Sequence, residues 1–158
     1  MKNCIIYPGT FDPITLGHVD LVERALRLFD QVIIAIAENL QKQSLFSLEE
    51  RIELASKIFA DNKKVKIESF GGLLTGYVKQ KETHTILRGL RVISDFEYEF
   101  QMASANRVLY PDLETIFLMP SDKYTYISSS IVREIVTAGG DASKFVPPIV
   151  TDALKKLF

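Results

Sequence analysis

Two short segments near the start of the chain carry residues suited to handling phosphate. Gly9-Thr10-Phe11-Asp12-Pro13 runs into Thr15-Leu16-Gly17-His18. Gly9 lets the backbone approach a ligand closely, and Thr10 offers a hydroxyl. From His18 onward the apolar positions fall at Leu21, Val22, Ala25, Leu26 and Phe29, the rhythm of an amphipathic helix. Gly17 and His18 therefore stand at a helix start, where free N–H groups and the dipole favour an anion. The same dipole disfavours a cationic imidazole, so His18 is expected neutral, donating one hydrogen bond to a phosphate oxygen. His18 also falls on the apolar side of its helix, which is a packing position. The Gly-Thr loop before it and the glycine beside it favour phosphate chemistry.

Further along, Arg88-Gly89-Leu90-Arg91 closes an apolar run. An arginine there calls for an anionic partner, because an unpaired charge is costly beside apolar surface; Arg91 alone could be a surface cation. Ser128-Ser129-Ser130 precede another helical pattern, as caps or as phosphate ligands. Lys42, in Gln41-Lys42-Gln43-Ser44, reads by itself as a solvated loop lysine, and Lys63, Lys64, Lys66 and His84 read as surface. The chain has neither a G-x-x-x-x-G-K-[ST] loop nor a G-x-G-x-x-G fingerprint. It has no defensible Ser/His/Asp or Cys/His arrangement, and no Asp/Glu cluster with metal-ligand spacing.

Elements that would position these residues alternate along the sequence. Short runs rich in Ile and Val span 4–7, 32–37, 65–69, 85–88 and 115–119, as buried parallel strands do. Helical patterns lie between them. Ser47 with Glu50 reads as a capping box opening a helix to about Ala60. Leu73 to Lys81 is a shorter helix. Ser94 with Glu97 repeats the capping-box signature and opens a helix to about Leu109. A helix after Ser128–Ser130 ends at Gly139-Gly140, and Pro147-Pro148 starts the last one. Five strands alternating with helices predict an α/β fold with a doubly wound, five-stranded parallel sheet, in one domain over 1–158. Ligands of such sheets sit beyond the carboxyl ends of the strands, and the glycines, hydroxyls and cations cluster there.

Composition agrees with an ordinary soluble domain. Of 158 residues 47% are hydrophobic and 25% charged. A formal net charge of -1 disfavours a general nucleic-acid binder, which needs surplus cation. The single cysteine, Cys4, excludes an intrachain disulfide and suits a reducing, cytoplasmic setting. The start of the chain lacks the build of a signal peptide, and no apolar stretch approaches the ~20 residues needed to span a bilayer.

Thr15-Leu16-Gly17-His18 resembles the [HT]-x-G-H signature of a nucleotidyltransferase superfamily. Together, Tyr7 to Thr15, Arg88-Gly89-Leu90-Arg91, Asp95-Phe96-Glu97-Tyr98-Glu99 and Ile127-Ser128-Ser129-Ser130 resemble the bacterial phosphopantetheine adenylyltransferases, in order and spacing, over essentially the whole chain. The resemblance implies a Rossmann-like nucleotidyltransferase fold. It implies transfer of the adenylyl group of ATP to 4'-phosphopantetheine, with Mg²⁺ carried mainly by ATP phosphates and water. It also implies a homohexamer and raises coenzyme A as a feedback ligand.

Roles carried over by the resemblance are specific. His18 would stabilise charge on the α-phosphate, and Thr10 would orient the attacking phosphate. Lys42 and Arg88 would hold the acceptor's phosphate, Arg91 the ATP phosphates, and Leu74 would line the pantetheine arm. The nucleotide pocket would comprise Gly9, Thr10, Phe11, His18, Gly89, Leu90, Arg91, Glu99, Tyr124, Thr125, Tyr126, Ile127, Ser128, Ser129 and Ser130. Gln43 and Ser44 stand where family members often have a lysine and a proline, and Tyr124 where they often have tryptophan. Two apolar stripes on the helix after Ser94 (Phe96, Phe100 and Ala103; Tyr98, Met102, Ala105 and Leu109) are compatible with self-association. Rivals are a sister enzyme acting on nicotinamide mononucleotide or glycerol 3-phosphate, and a non-catalytic nucleotide-binding regulator. The Arg88–Arg91 and Asp95–Glu99 blocks speak against the first. The presence of His18, Lys42 and Arg88 together speaks against the second.

Overall fold

The computed structural model describes residues 3–38 and 43–158. Five strands, β1 (Cys4–Gly9), β2 (Gln31–Ala37), β3 (Val65–Phe70), β4 (Thr85–Gly89) and β5 (Glu114–Leu118), form one sheet in the order β3-β2-β1-β4-β5. Every neighbouring pair is parallel. Each predicted strand is present, with ends moved by a residue or two. The helices are α1 (Leu16–Ala25), α2 (Leu48–Ile58), α3 (Leu74–Val78), α4 (Ile93–Leu109), α5 (Ser129–Thr137) and α6 (Pro148–Lys155).

Alternation along the central strands sends side chains to two unequal layers. Ile5 and Tyr7 of β1 and Val32, Ile34 and Ile36 of β2 join the larger core, against Leu21 and Val22 of α1, Leu54 of α2, Val132 of α5 and Val150 of α6. Ile6, Ile33, Ala35 and Ile86 face the other way and meet Tyr77 and Val78 of α3. That second face is thinly covered. Of α4 only Glu99 is buried, and Ile93, Phe96, Tyr98, Phe100 and Met102 are exposed.

Helix boundaries follow local chemistry. Ser47 and Glu50 form the predicted capping box of α2, Ser128 caps α5 by accepting from the Ile131 N–H, and Pro148 opens α6. Gly139, at φ +81, stands just beyond α5 in the left-handed region that glycine favours. The expected capping box at Ser94 and Glu97 is corrected. Helix α4 begins at Ile93 after Val92, with no side-chain cap. Asp95 instead accepts from the Arg91 backbone N–H and guanidinium, which ties the first turn of α4 back to the loop after β4.

Candidate active site

Strand order reverses between β1 and β4, which pair although β2 and β3 intervene in sequence. At their carboxyl ends lies a cleft of about 320 Å³, where the topology places ligands. Its walls come from Pro8 to Asp12 at the end of β1 and beyond it, Gly89 and Arg91 at the end of β4 and beyond it, Pro120 after β5, and the N-terminal turns of α1 and α5. Asp20 of α1 holds the loop after β5 by accepting from the N–H and Oγ of Ser121, at 2.8 and 2.7 Å.

His18 is built into the start of α1. Its Nδ1 accepts from the Thr15 backbone N–H at 2.9 Å, and its own N–H donates to Thr15 Oγ1 at 3.3 Å. This is a capping box in which histidine takes the usual place of Glu or Gln. A ring nitrogen that accepts carries no proton, so the neutral ring has its hydrogen on Nε2. Nε2 has no protein partner among the described residues, and His18 lines the cleft. Desolvation, seconded by the nearby Arg91 and Arg88 cations, pulls the imidazole from its ordinary 6.5 down to about 3. The ring is half-buried, bordering the cleft. Phe11 meets the ring edge-on, with centroids 4.9 Å apart.

Three arginines line the cleft. Arg88 donates to both oxygens of Glu99, at 2.8 and 2.6 Å, and to the Pro8 carbonyl at 3.0 Å. Burial opposes its charge, but the Glu99 carboxylate outweighs this and raises its pKa. The anionic partner anticipated for Arg88 is thus supplied by the chain itself. Arg91 pairs with Asp95 and donates to the Ile127 carbonyl. Arg133 donates to the Asp12 carbonyl at 2.6 Å and to Ser130 Oγ at 3.2 Å. Among the described residues it alone of the three has no carboxylate partner.

The loop after β1 is strained and tethered. Phe11 has φ 51, a left-handed conformation that costs an L-residue of this size about 1–3 kcal/mol. Its ring is buried against Tyr7 and His18. Both Asp12 carboxylate oxygens accept backbone N–H groups, from Leu45 at 2.8 Å and Phe46 at 2.9 Å. The Thr10 hydroxyl makes no hydrogen bond among the described residues, and Thr10 lines the cleft, so the hydroxyl is free to meet a ligand.

Of the residues expected from sequence, Gly9, Thr10, Phe11, His18, Arg88, Gly89, Arg91, Glu99, Tyr124, Ile127, Ser128, Ser129 and Ser130 line this cleft. Leu74 lines a neighbouring cavity of about 110 Å³ that shares Arg88 and Glu99 with it. Leu90, Thr125 and Tyr126 are not among its lining residues; Tyr126 is exposed and faces Phe145. Lys42 lies outside the described residues. Sequence reasoning missed Asp12, Asp95 and Arg133 as cleft residues. Arg133 left one usable sign, its place three residues after Ser130, which sets both on one helix face. Among the described residues there is no group of three or more His, Cys, Asp or Glu that could hold a metal ion, and no helix is long and apolar enough to cross a membrane.

Comparison with known proteins adds three observations. The cytidylyltransferase-like family matches residues 6–135. A Nitrosomonas eutropha protein named phosphopantetheine adenylyltransferase is 55% identical over 152 residues, 96% of this chain and 93% of the relative. The fold is similar to that of a bifunctional NMN adenylyltransferase/ADP ribose pyrophosphatase from Francisella tularensis, with TM-score 0.73, 17% identity and 99% of this chain aligned; this chain spans 49% of that protein. The same Francisella protein complexed with AMP and a manganese ion gives TM-score 0.70 at 16% identity, again over 99% of this chain and 49% of the other.

Proposed function

Because the chain belongs to the cytidylyltransferase-like family and, within it, to the phosphopantetheine adenylyltransferases, we propose that its cleft joins ATP and 4'-phosphopantetheine by direct in-line displacement. The reaction gives dephospho-coenzyme A and pyrophosphate, the penultimate step of coenzyme A synthesis. An oxygen of the acceptor's phosphate forms a bond to the α-phosphorus of ATP as the bond to the β-phosphate oxygen breaks, and pyrophosphate leaves with that electron pair. No bond to the protein forms. The acceptor is already an anionic nucleophile, so the protein's work is positioning and charge stabilisation.

The observation that carries this reading is the tautomer-locked His18 lining a cation-lined cleft. Its Nε2–H is aimed to donate to an α-phosphate oxygen as charge builds there, and it needs no proton transfer to do so. The Thr10 hydroxyl orients the attacking phosphate. Arg88, held by Glu99, and Lys42 take the acceptor's phosphate and offset repulsion between the two anions. Arg91, Arg133 and the N-terminal turn of α5 receive the nucleotide's phosphates, with Gly9, Phe11, Gly89, Tyr124 and Ile127 around the nucleoside. The adjacent cavity beside Leu74 takes the pantetheine arm.

Mg²⁺ enters with ATP and neutralises its phosphate charge; oxygen from phosphate and water suits this hard ion. The cleft's own carboxylates do not compete for it, since Glu99 and Asp95 face arginines and Asp12 faces two amides. The Francisella protein with AMP and manganese is a precedent for a divalent ion on this fold. The exposed apolar side of α4 supports self-association, which we read as the homohexamer. We read 1–158 as one adenylyltransferase domain acting in the cytoplasm, and coenzyme A, which carries the same pantetheine arm, as a competitor at the acceptor site.

Pyrophosphate release tests the reaction, with ATP and Mg²⁺ and either 4'-phosphopantetheine or nicotinamide mononucleotide as acceptor. Release is expected with 4'-phosphopantetheine only, and largely lost in His18→Ala. Release with the mononucleotide instead would keep the reaction class and remove the substrate. ATP binding without release would make the protein a regulator.

A further inference from the structure

Arg51 of α2 is a charged residue that the reaction scheme does not use, yet it is only 3% exposed. Its Nη1 donates to two backbone carbonyls, Thr10 at 2.8 Å and Ala37 at 2.9 Å. Thr10 is the first residue beyond β1, and Ala37 is the last residue of β2. One guanidinium nitrogen thus bridges the carboxyl ends of two neighbouring strands from the helix behind them. No carboxylate pairs with Arg51 within 4.0 Å among the described residues, and its Nε is buried without a partner. Burying a cation on such terms is expensive, and an apolar side chain of similar length would fill the space without that penalty. What an apolar residue could not do is hold the Thr10 carbonyl. That carbonyl belongs to the peptide immediately before Phe11, whose φ of 51 strains the loop where Thr10 must present its hydroxyl.

We propose that Arg51 is a positioning residue for the transfer, acting through Thr10: by fixing the Thr10–Phe11 peptide it sets where the Thr10 hydroxyl meets the acceptor's phosphate. The proposal rests on the role given to Thr10 above. Arg51 touches no substrate, and its effect exists only while there is a hydroxyl to aim.

A double-mutant cycle on the full chain separates this from plain structural support. Pyrophosphate release with ATP, Mg²⁺ and 4'-phosphopantetheine is measured for the parent, Thr10→Val, Arg51→Met and the double variant, alongside thermal melting of each. Arg51→Met is expected to lower kcat/KM for the acceptor about tenfold or more when Thr10 is present, the scale of loss that small misplacements cause. In the Thr10→Val background the same change should cost no more than roughly twofold, near the limit of additivity. Equal losses in both backgrounds overturn the proposal while leaving the reaction intact. An inactive parent overturns the functional reading instead. If Arg51→Met does not fold, Arg51→Lys, which keeps the charge and reaches one carbonyl, passes through the same cycle with the same two criteria.

Discussion

The Thr15 backbone N–H donates to Nδ1 of His18 at 2.9 Å, and Thr15 Oγ1 accepts the His18 backbone N–H at 3.3 Å. One reciprocal pair therefore does two things. It satisfies two of the donors that a helix start leaves open, and it forces the imidazole proton onto Nε2, the nitrogen left to the cleft. In the T-x-G-H spacing, threonine and histidine stand three residues apart because that is the reach of a capping box. Gly17 between them is a different matter. A Cβ there would meet protein atoms no closer than 3.5 Å, so the packing tolerates one, and the space it leaves open belongs to the cleft.

The first prediction concerns protonation. His18 is neutral throughout the working range, so nitrogen-15 NMR should show the Nε2–H tautomer and no titration of this ring between pH 8 and 5. Since its folded-state value lies at about 3, below the ordinary 6.5, the unfolded chain binds the extra proton between those limits. The stability it contributes is complete above 6.5 and drains as pH falls toward 3. A limb near pH 6 in kcat/KM for the acceptor belongs to the acceptor's phosphate, whose second pKa is about 6, and it should persist in Thr15→Ala. That variant keeps the backbone donor to Nδ1, so it should lose about 1 kcal/mol of stability with the cap yet retain the tautomer. A ring of His18 titrating near 6.5 would remove the neutral-donor role.

The strands, the parallel sheet and the loops that build the cleft were legible in the sequence because their signals are local: runs of Ile and Val, a helical rhythm after His18, serine caps. Where a local signal met a tertiary competitor it failed. Ser94 and Glu97 have capping-box spacing, but the Asp95 carboxylate is drawn back to Arg91 and the helix starts earlier. Arg51 and Asp12 gave no local signal, and Arg133 only its place three residues after Ser130. Their partners lie 41, 33 and 121 residues away, and only the folded chain brings such groups together.

A second prediction follows from the Arg88–Glu99 pair, whose side chains are 31% and 10% exposed. Glu99→Gln leaves a guanidinium in the cleft wall with a neutral partner. Removing one member of a buried pair costs about 3–5 kcal/mol; partial exposure of Arg88 reduces this to the order of 2 kcal/mol. The larger effect should be on the acceptor, because the two-point contact with Glu99 is what aims Arg88. KM for 4'-phosphopantetheine should rise while KM for ATP changes little. The reverse pattern would place Glu99 with the nucleotide rather than behind Arg88.

Arg133 distinguishes a cation that binds substrate from one that supports the wall. Arg88 and Arg91 are already balanced by carboxylates, whereas Arg133 holds only the Asp12 carbonyl and a serine hydroxyl. Its charge is therefore left to offset that of an incoming anion, and it stands in the first turns of α5, where the helix dipole adds to the same field. Charge-assisted hydrogen bonds contribute about 1.5–3 kcal/mol, so Arg133→Met should raise KM for ATP roughly tenfold or more, with KM for the acceptor nearly unchanged. Arg133→Lys keeps the charge but not the two-pronged geometry, and should fall between the two. A structural role alone would lower the melting temperature of Arg133→Met and leave both KM values in place, and that result would return Arg133 to the wall.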